Sequence, residues 1–368
     1  MKILNIITSG VKAEGITSVW LSYCREIKSS GLSNKLVLHF GVIDQISDYE
    51  HAKNIEELGF KLVRLPNRQN NPLKYIISLS KVLREGQYDA IHANGSSSFM
   101  LLEMFAAVIV KNVKIRAAHS HNTMCNNTLL HKLCWIPFQL LCNRRYACGE
   151  KAGKWLFGDR EFTVLSNGKD LSLFKYSDSR RKEMRDKLHL HEKYVIGHVG
   201  TFTEQKNHMF LIKIFKEILI RIPNAHLYLI GDGPLFSDVK SDIEINNLSN
   251  KVTLSGVVND IPDRLQAMDL MVFPSLYEGL PNVVIEWQAV GLPCVISDVI
   301  TKECGTCDLV AYLSLNEEPS KWADTILSHK IVHTDRVADA NKGKESLRLN
   351  GFDISDCVNK FLKSYTSI

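Results

Sequence analysis

Glu278 and Glu286 stand eight positions apart in YEGLPNVVIEWQAVG, residues 277–291, and the chain between them is almost wholly apolar. Pro281 fits the first turn of a helix. Asn282 then lies one turn before Glu286, a narrow polar strip on a helix whose other faces are Val283, Val284, Ile285, Trp287 and Val290. Glu278 stays in the loop just ahead. One acid thus faces a crevice from the loop and the other from inside the helix, while the unpaired N–H groups at the helix start suit a diphosphate. A buried Glu is costly without partners, and sugar hydroxyls supply donors.

Lys206 lies in GTFTEQKNH, residues 200–208, which follows a strand pattern and opens a helix. The positive end of a helix dipole repels a lysine unless an anion lies between them, so this segment favours a phosphate site, with a solvated surface lysine as the alternative. Gly10 to Gly15 in SGVKAEGITS, and Gly231 and Gly233 in GDGP, also follow strands. They permit close approach of backbone to a phosphate or make ordinary turns, because neither a P-loop nor a GxGxxG spacing is present. Cys304-Gly-Thr-Cys307 is an isolated CxxC with no second pair at zinc spacing, so no metal or redox cofactor is expected.

These residues need elements that hold them at strand ends. KILNIIT, a helix near 18–29, KLVLHFG, FKLVRLP, a helix near 73–85, DAIHA and KIRAAHS form one alternating series. YVIGHVG, a helix near 208–221, HLYLIGDG, KVTLSG, DLMVFPS and PCVISD form a second. Alternation of this kind implies parallel sheets and two doubly wound α/β domains, with ligands outside the carboxyl ends of the strands. The polar, aperiodic SNGKDLSLFKYSDSRR separates the series, so the domains are expected at 1–170 and 171–351. FDISDCVNKFLKSY, within 352–368, is an amphipathic helix that can pack back on the first domain or on the second.

The 368-residue chain suits two domains of ordinary size. Nine cysteines without a secretory leader argue for free thiols, and MKILNIITSG reads as a strand ended by Gly10, so a cytoplasmic protein is expected. The longest apolar run, residues 99–110, is broken by Glu103 and falls short of the roughly 20 residues of a membrane span. A net charge of +5 is too small and dispersed to indicate nucleic acid, though it favours anionic substrates or an anionic membrane surface.

The ordered set PSLYEGLPNVVIE with its E-x7-E pair, QKN at 205–207, IGDGP, HSHN after a first-domain strand, and SNGKD resembles the retaining glycosyltransferases of family 4 over nearly the whole chain. Within that family it looks closest to capsule and exopolysaccharide enzymes. The resemblance implies a GT-B fold, two Rossmann-like domains facing a central cleft, the second holding a nucleoside diphosphate sugar, most often a UDP-sugar, and the first a saccharide or lipid-linked acceptor. It implies that Glu286 takes the ribose hydroxyls and that Glu278 holds donor-sugar hydroxyls. It implies that the N–H groups near Gly279–Asn282, a turn that includes Leu280 and Pro281, line the diphosphate or sugar, with Thr201, Gly231, Gly233 and Gly15 around the donor. Lys206 neutralises charge on the leaving diphosphate. No metal is expected, since no DxD-type motif stands in a suitable loop. A glycosidase pair of carboxylates is rejected, because Glu286 inside the helix sits beside the nucleotide and not across a sugar ring.

The family's first-domain histidine maps to His119 or His121, which the sequence does not separate; His92 reads as sheet-end packing or acceptor-side lining. The chain departs from the family pattern at Thr201, where an Arg is usual, at Lys169 for Ile and at Trp287 for Ala. A hydroxyl cannot replace a guanidinium fork on a diphosphate, and loss of one such donor costs about 10²–10³ in turnover. Alternatives are a nucleotide-sugar epimerase of the same architecture and, because of Thr201, a catalytically weak or silent binding protein. TLLHKLCWIPFQLLCNRRYACGEKAGKW reads equally as a buried helix with a basic end or as a peripheral contact with an anionic inner membrane face, through Arg144 and Arg145 among others.

Overall fold

The structure, a computed structural model, describes residues 1–8, 15–31, 36–43 and 49–366. The chain divides into two compact units. Met1–Lys169 and Gly351–Ile368 form unit 1, and Asp170–Asn350 forms unit 2.

Unit 1 is built on seven parallel strands: β1 (Lys2–Ile7), β2 (Val37–Ile43), β3 (Lys61–Leu65), β4 (Ala90–Gly95), β5 (Ile115–Ser120), β6 (Arg144–Ala147) and β7 (Thr163–Val164). Their order, β3-β2-β1-β4-β5-β6-β7, reverses direction between β1 and β4. Unit 2 repeats the plan with β8 (Tyr194–Val199), β9 (Ala225–Ile230), β10 (Val252–Leu254), β11 (Leu270–Phe273), β12 (Cys294–Ser297) and β13 (Val310–Leu313). Its order is β10-β9-β8-β11-β12-β13, with the reversal between β8 and β11. Strands such as KILNII and AHLYLI are buried almost throughout, as a sheet covered by helices on both faces requires. At each reversal the neighbouring connections leave to opposite faces and open a crevice beyond the strand ends.

The helix Ile354–Thr366 belongs to unit 1. Phe361, Leu362 and Tyr365 join Val19, Trp20, Tyr23 and Ile27 in one core layer. Lys169 N donates to Phe352 O at 2.9 Å, and Ile354 N donates back to Lys169 O at 3.0 Å, so Lys169 acts through its backbone where the chain returns. Helices Pro72–Glu85, Leu101–Val108, Thr128–Leu141 and Glu150–Phe157 cover the other face of that sheet.

The basic segment after residue 128 is not one helix. It is the helix Thr128–Leu141, then β6, then the helix Glu150–Phe157. Cys142 turns extended, and Arg145 folds back to donate to Gln139 O and Cys142 O, both at 3.2 Å, satisfying carbonyls left open at the helix end. Arg145 therefore caps the helix, while Arg144 stays exposed. Among the described residues no helix is long and apolar enough to cross a membrane.

Candidate active site

In unit 2 the loops after β8 and β11 are stitched together by three consecutive residues. Gln205 O accepts from Leu276 N at 2.8 Å, and Gln205 Nε2 donates to Tyr277 O at 2.9 Å. Asn207, in a left-handed conformation that asparagine tolerates, donates from Nδ2 to Pro274 O at 3.2 Å. Between them Lys206 Nζ donates to Glu278 Oε1 at 2.6 Å. The two side chains are only 15 % and 9 % exposed, so the pair is largely withdrawn from water. The ammonium also lies 4.7 Å over the Phe273 ring, and Trp287 packs edge-on against that ring at 5.4 Å. Trp287, in place of the family's Ala, thus supports the platform under Lys206. One N–H of Lys206 is used on Glu278; an ammonium has three.

The helix Asn282–Ala289 starts just after Glu278 with no side-chain cap and no acid in its first turn. Pro281 is the flanking cap residue with extended backbone, not a first-turn residue as the sequence suggested. Val284, Ile285, Trp287 and Gln288 are buried, whereas Asn282, Val283 and Glu286 are half-buried on the side left open, and Leu280 is buried and Gly279 half-buried in the loop before them. Asn282 Oδ1 and Ser275 Oγ are buried without a hydrogen-bond partner. Both atoms retain capacity for a further hydrogen bond.

Gly231 and Gly233 have a different task. A Cβ on Gly231 would lie 2.1 Å from Gly200 O, and one on Gly233 would lie 2.7 Å from Phe202 N and O. Their missing side chains let the loop after β9 lock against the loop after β8, with Phe202 N donating to Asp232 O at 3.0 Å. Thr201 is half-buried between these contacts. His198 and His208, which sequence reasoning passed over, pack beside Lys206's loop with ring centroids 4.7 Å apart. Burial and the nearby Lys206 charge depress His208 to about 4, and burial with the neighbouring His208 holds His198 well below its usual value, so both are neutral.

Unit 1 places His119 and His121 at the end of β5, ring centroids 4.0 Å apart. His119 is buried, and its Nδ1 lies 3.2 Å from His92 Nε2; His92 Nδ1 is 2.6 Å from the Tyr365 hydroxyl on the last helix. His121 is half-buried, with Nε2 3.0 Å from Asn94 Oδ1. Asn94 is oriented by its own amide donors, to Asn5 Oδ1 at 2.8 Å and Ile6 O at 3.0 Å, and its Oδ1 also accepts from Trp20 Nε1 at 2.9 Å. An amide oxygen only accepts, so the neutral His121 carries its proton on Nε2 and leaves Nδ1 as an acceptor. Burial lowers His121 and His92 to about 3, which keeps both rings neutral. Asn94 is the positioning residue that no local motif revealed. Gly15, at φ 69°, starts the uncapped helix Ile16–Ser29 with open space where a Cβ would stand; residues 9–14 of the same glycine-bearing stretch lie outside the described residues. Among the described residues no three His, Cys, Asp or Glu side chains gather as a metal would require.

Residues 193–329 match the family model described as glycosyl transferases group 1. The chain is 35 % identical over 338 residues to the putative glycosyltransferase EpsF of Bacillus subtilis strain 168, covering 86 % of this chain and 85 % of that one. It is 30 % identical over 245 residues, 63 % of each chain, to the UDP-Gal:alpha-D-GlcNAc-diphosphoundecaprenol alpha-1,3-galactosyltransferase of Escherichia coli. The crystal structure of Anabaena Alr3699/HepE in complex with UDP superposes with a TM-score of 0.81 at 20 % identity over the full length of both chains, a likeness of fold. With this fold and a relative similar over most of its length, the chain belongs to the group 1 glycosyltransferases of GT-B architecture.

Proposed function

We propose that the protein transfers a hexose or N-acetylhexosamine, with retention of configuration, from a nucleoside diphosphate sugar to a saccharide or lipid-linked saccharide acceptor in surface polysaccharide assembly. The observation that carries this reading is the Lys206–Glu278 pair, set where the order of the unit 2 sheet reverses and directly before an uncapped helix start. A cation and free N–H groups at a strand-end crevice suit a diphosphate. The names of two relatives support the substrate class. The E. coli enzyme is named for UDP-galactose and a diphosphoundecaprenol-linked sugar, and the Anabaena protein was crystallised with UDP.

In this reading the N–H groups of Gly279, Leu280 and Asn282 and Lys206 hold the diphosphate, Glu286 takes the ribose hydroxyls, and Glu278 exchanges part of its contact with Lys206 for hydroxyls of the donor sugar. Thr201 lies beside the donor, Gly231 and Gly233 shape its loop, and Gly15 leaves room at the start of a unit 1 helix. His121 Nδ1 accepts a hydrogen bond from a sugar hydroxyl; the His119 ring lies tilted against the His121 ring. The bond between the anomeric carbon and the leaving phosphate oxygen breaks as the acceptor oxygen attacks from the same face. The acceptor's proton passes to that phosphate oxygen. Lys206 and the helix N–H groups stabilise the negative charge gained by the diphosphate, so the step is read as metal-independent.

Hydrolysis of UDP-, GDP- and ADP-sugars by the purified protein tests the reading. Slow release of one nucleoside diphosphate, undiminished by EDTA, is expected. Failure of every nucleotide sugar to bind by calorimetry overturns it, and loss of turnover on chelation overturns the metal-free step.

A further inference from the structure

We infer that unit 1 carries a docking surface for an anionic lipid bilayer, formed by the outward faces of three neighbouring helices. Helices Pro72–Glu85, Leu101–Val108 and Thr128–Leu141 pack side by side in that order over one face of the sheet. On their inner sides Tyr75, Leu79, Met104 and Phe138 are fully buried. Their outer sides are apolar as well. Leu73 and Ile77 project from the first helix, 73 % and 69 % exposed. Phe105, Val108 and Ile109 stand exposed on and just after the second. The third carries Leu129, Leu133, Ile136 and Leu140, each 66–74 % exposed, at spacings of four, three and four residues. That spacing is one stripe along the whole helix.

Nine large side chains left in water on adjacent helices exceed the roughly 300–600 Å² of the largest apolar patch usual on a monomer. Something of low polarity covers them. The charge around the stripe selects what that is. Between Glu103, which is buried against Arg68, and Glu150 the sequence holds no Asp or Glu. Lys111, Lys114, Lys132 and Arg144 are exposed in the same span; on and just after the first helix Lys74 and Arg84 are exposed, Lys81 pairs with the exposed Glu85 at 3.8 Å, and Asp89 is exposed. An apolar stripe edged by cations is the pattern of an interfacial helix that lies in the headgroup plane, its Leu and Ile side chains among the acyl chains and its Lys and Arg on anionic headgroups. A second copy of the chain would bring like charges against like, which disfavours self-association through this face. Spanning is excluded for these helices by their length of at most 14 residues. The third helix begins seven positions after His121, so the face continues from the loop that follows the candidate acceptor side. Arg145 takes no part, since it caps the helix.

The test is cosedimentation of the full chain with vesicles of phosphatidylcholine and phosphatidylglycerol at roughly two to one, and with phosphatidylcholine alone; it reads membrane binding without reference to the reaction. Binding to the anionic vesicles should exceed binding to the neutral ones about tenfold. Leu133→Ser with Leu140→Ser should reduce it at least about tenfold, and Lys132→Glu with Arg144→Glu should bring it to the level of neutral vesicles. Both variants alter exposed positions, so their melting temperatures should match the parent. Equal binding to both vesicle types, unchanged partitioning of the variants, or a dimer in gel filtration that Leu133→Ser dissolves while no vesicle binds would each overturn the inference.

Discussion

The two strand-reversal sites of this molecule are built on the same topology with opposite chemistry. In unit 1 the side chains at the crevice are neutral and tied inward. Asn94 meets Asn5, Trp20 and His121, and His119 is joined through His92 to Tyr365, so the candidate site is also core. In unit 2 the corresponding crevice holds an ion pair on an aromatic ring, an uncapped helix and buried polar atoms without partners. A neutral network, bonded through most of its atoms although His119 Nε2 and Asn5 Nδ2 are left over, fixes ring tautomers and positions acceptor atoms. A charged one keeps electrostatic capacity for a ligand that brings its own charge.

The contrast breaks most sharply at the ion pair. Lys206→Met combined with Glu278→Gln removes both charges together, so the melting temperature should move by only a few degrees. Donor turnover should still fall by about 10²–10³ or more, read as kcat/KM for nucleotide-sugar hydrolysis or transfer. In unit 1 the balance reverses. Asn94→Ala leaves the Trp20 and His121 donors without their acceptor, and chemical denaturation should show a loss of about 2–3 kcal/mol. His121→Ala should lower turnover about tenfold to a hundredfold with a smaller stability loss than His119→Ala, whose ring is the more deeply buried.

Acid should act on the histidines that burial keeps neutral. Burial holds His92 and His121 near 3 in the folded chain, and His208 and the β9 residue His226 near 4, against about 6.5 when unfolded. Their folded values are lowered, so the unfolded chain binds more protons below pH 6.5. Stability is fully present above that pH and should fall as pH drops toward 4, by about 1.4 kcal/mol per pH unit for each such ring, measured by urea titration across that window. The smallest expected effect is at Thr201. Thr201→Arg should tighten nucleoside diphosphate binding several-fold by calorimetry; an unchanged affinity would mean that the position does not face the diphosphate.

What the sequence disclosed of these sites was local. QKN and the E-x7-E segment are short strings whose residues meet because each immediately follows a strand, and the alternation of apolar runs with helical stretches announced both parallel sheets. What it hid was distant or disguised. Tyr365 reaches His92 across 273 positions, and Asn94 gains its role from Asn5 and Trp20, which no periodicity joins to it. β6 was concealed because RRYA is four residues long and begins with two cations, so it reads as the end of the preceding helix. Which of His119 and His121 lies in the core needed the strand register, which buries the first ring and leaves the next same-side ring at the strand's end. Gly231 and Gly233 were legible as special but not as to why; only the 2.1 Å and 2.7 Å approaches show that the chain's own backbone claims their space.

The central claim is that Lys206, Glu278 and the open start of the helix Asn282–Ala289 form the diphosphate and sugar end of a donor site. A crystal structure of the protein soaked with UDP addresses it directly. A phosphate oxygen within hydrogen-bond reach of Lys206 Nζ, the other phosphate on the N–H groups at the start of that helix, and the ribose against Glu286 is the predicted result. UDP bound with its phosphates away from Lys206 and from that helix start would contradict it.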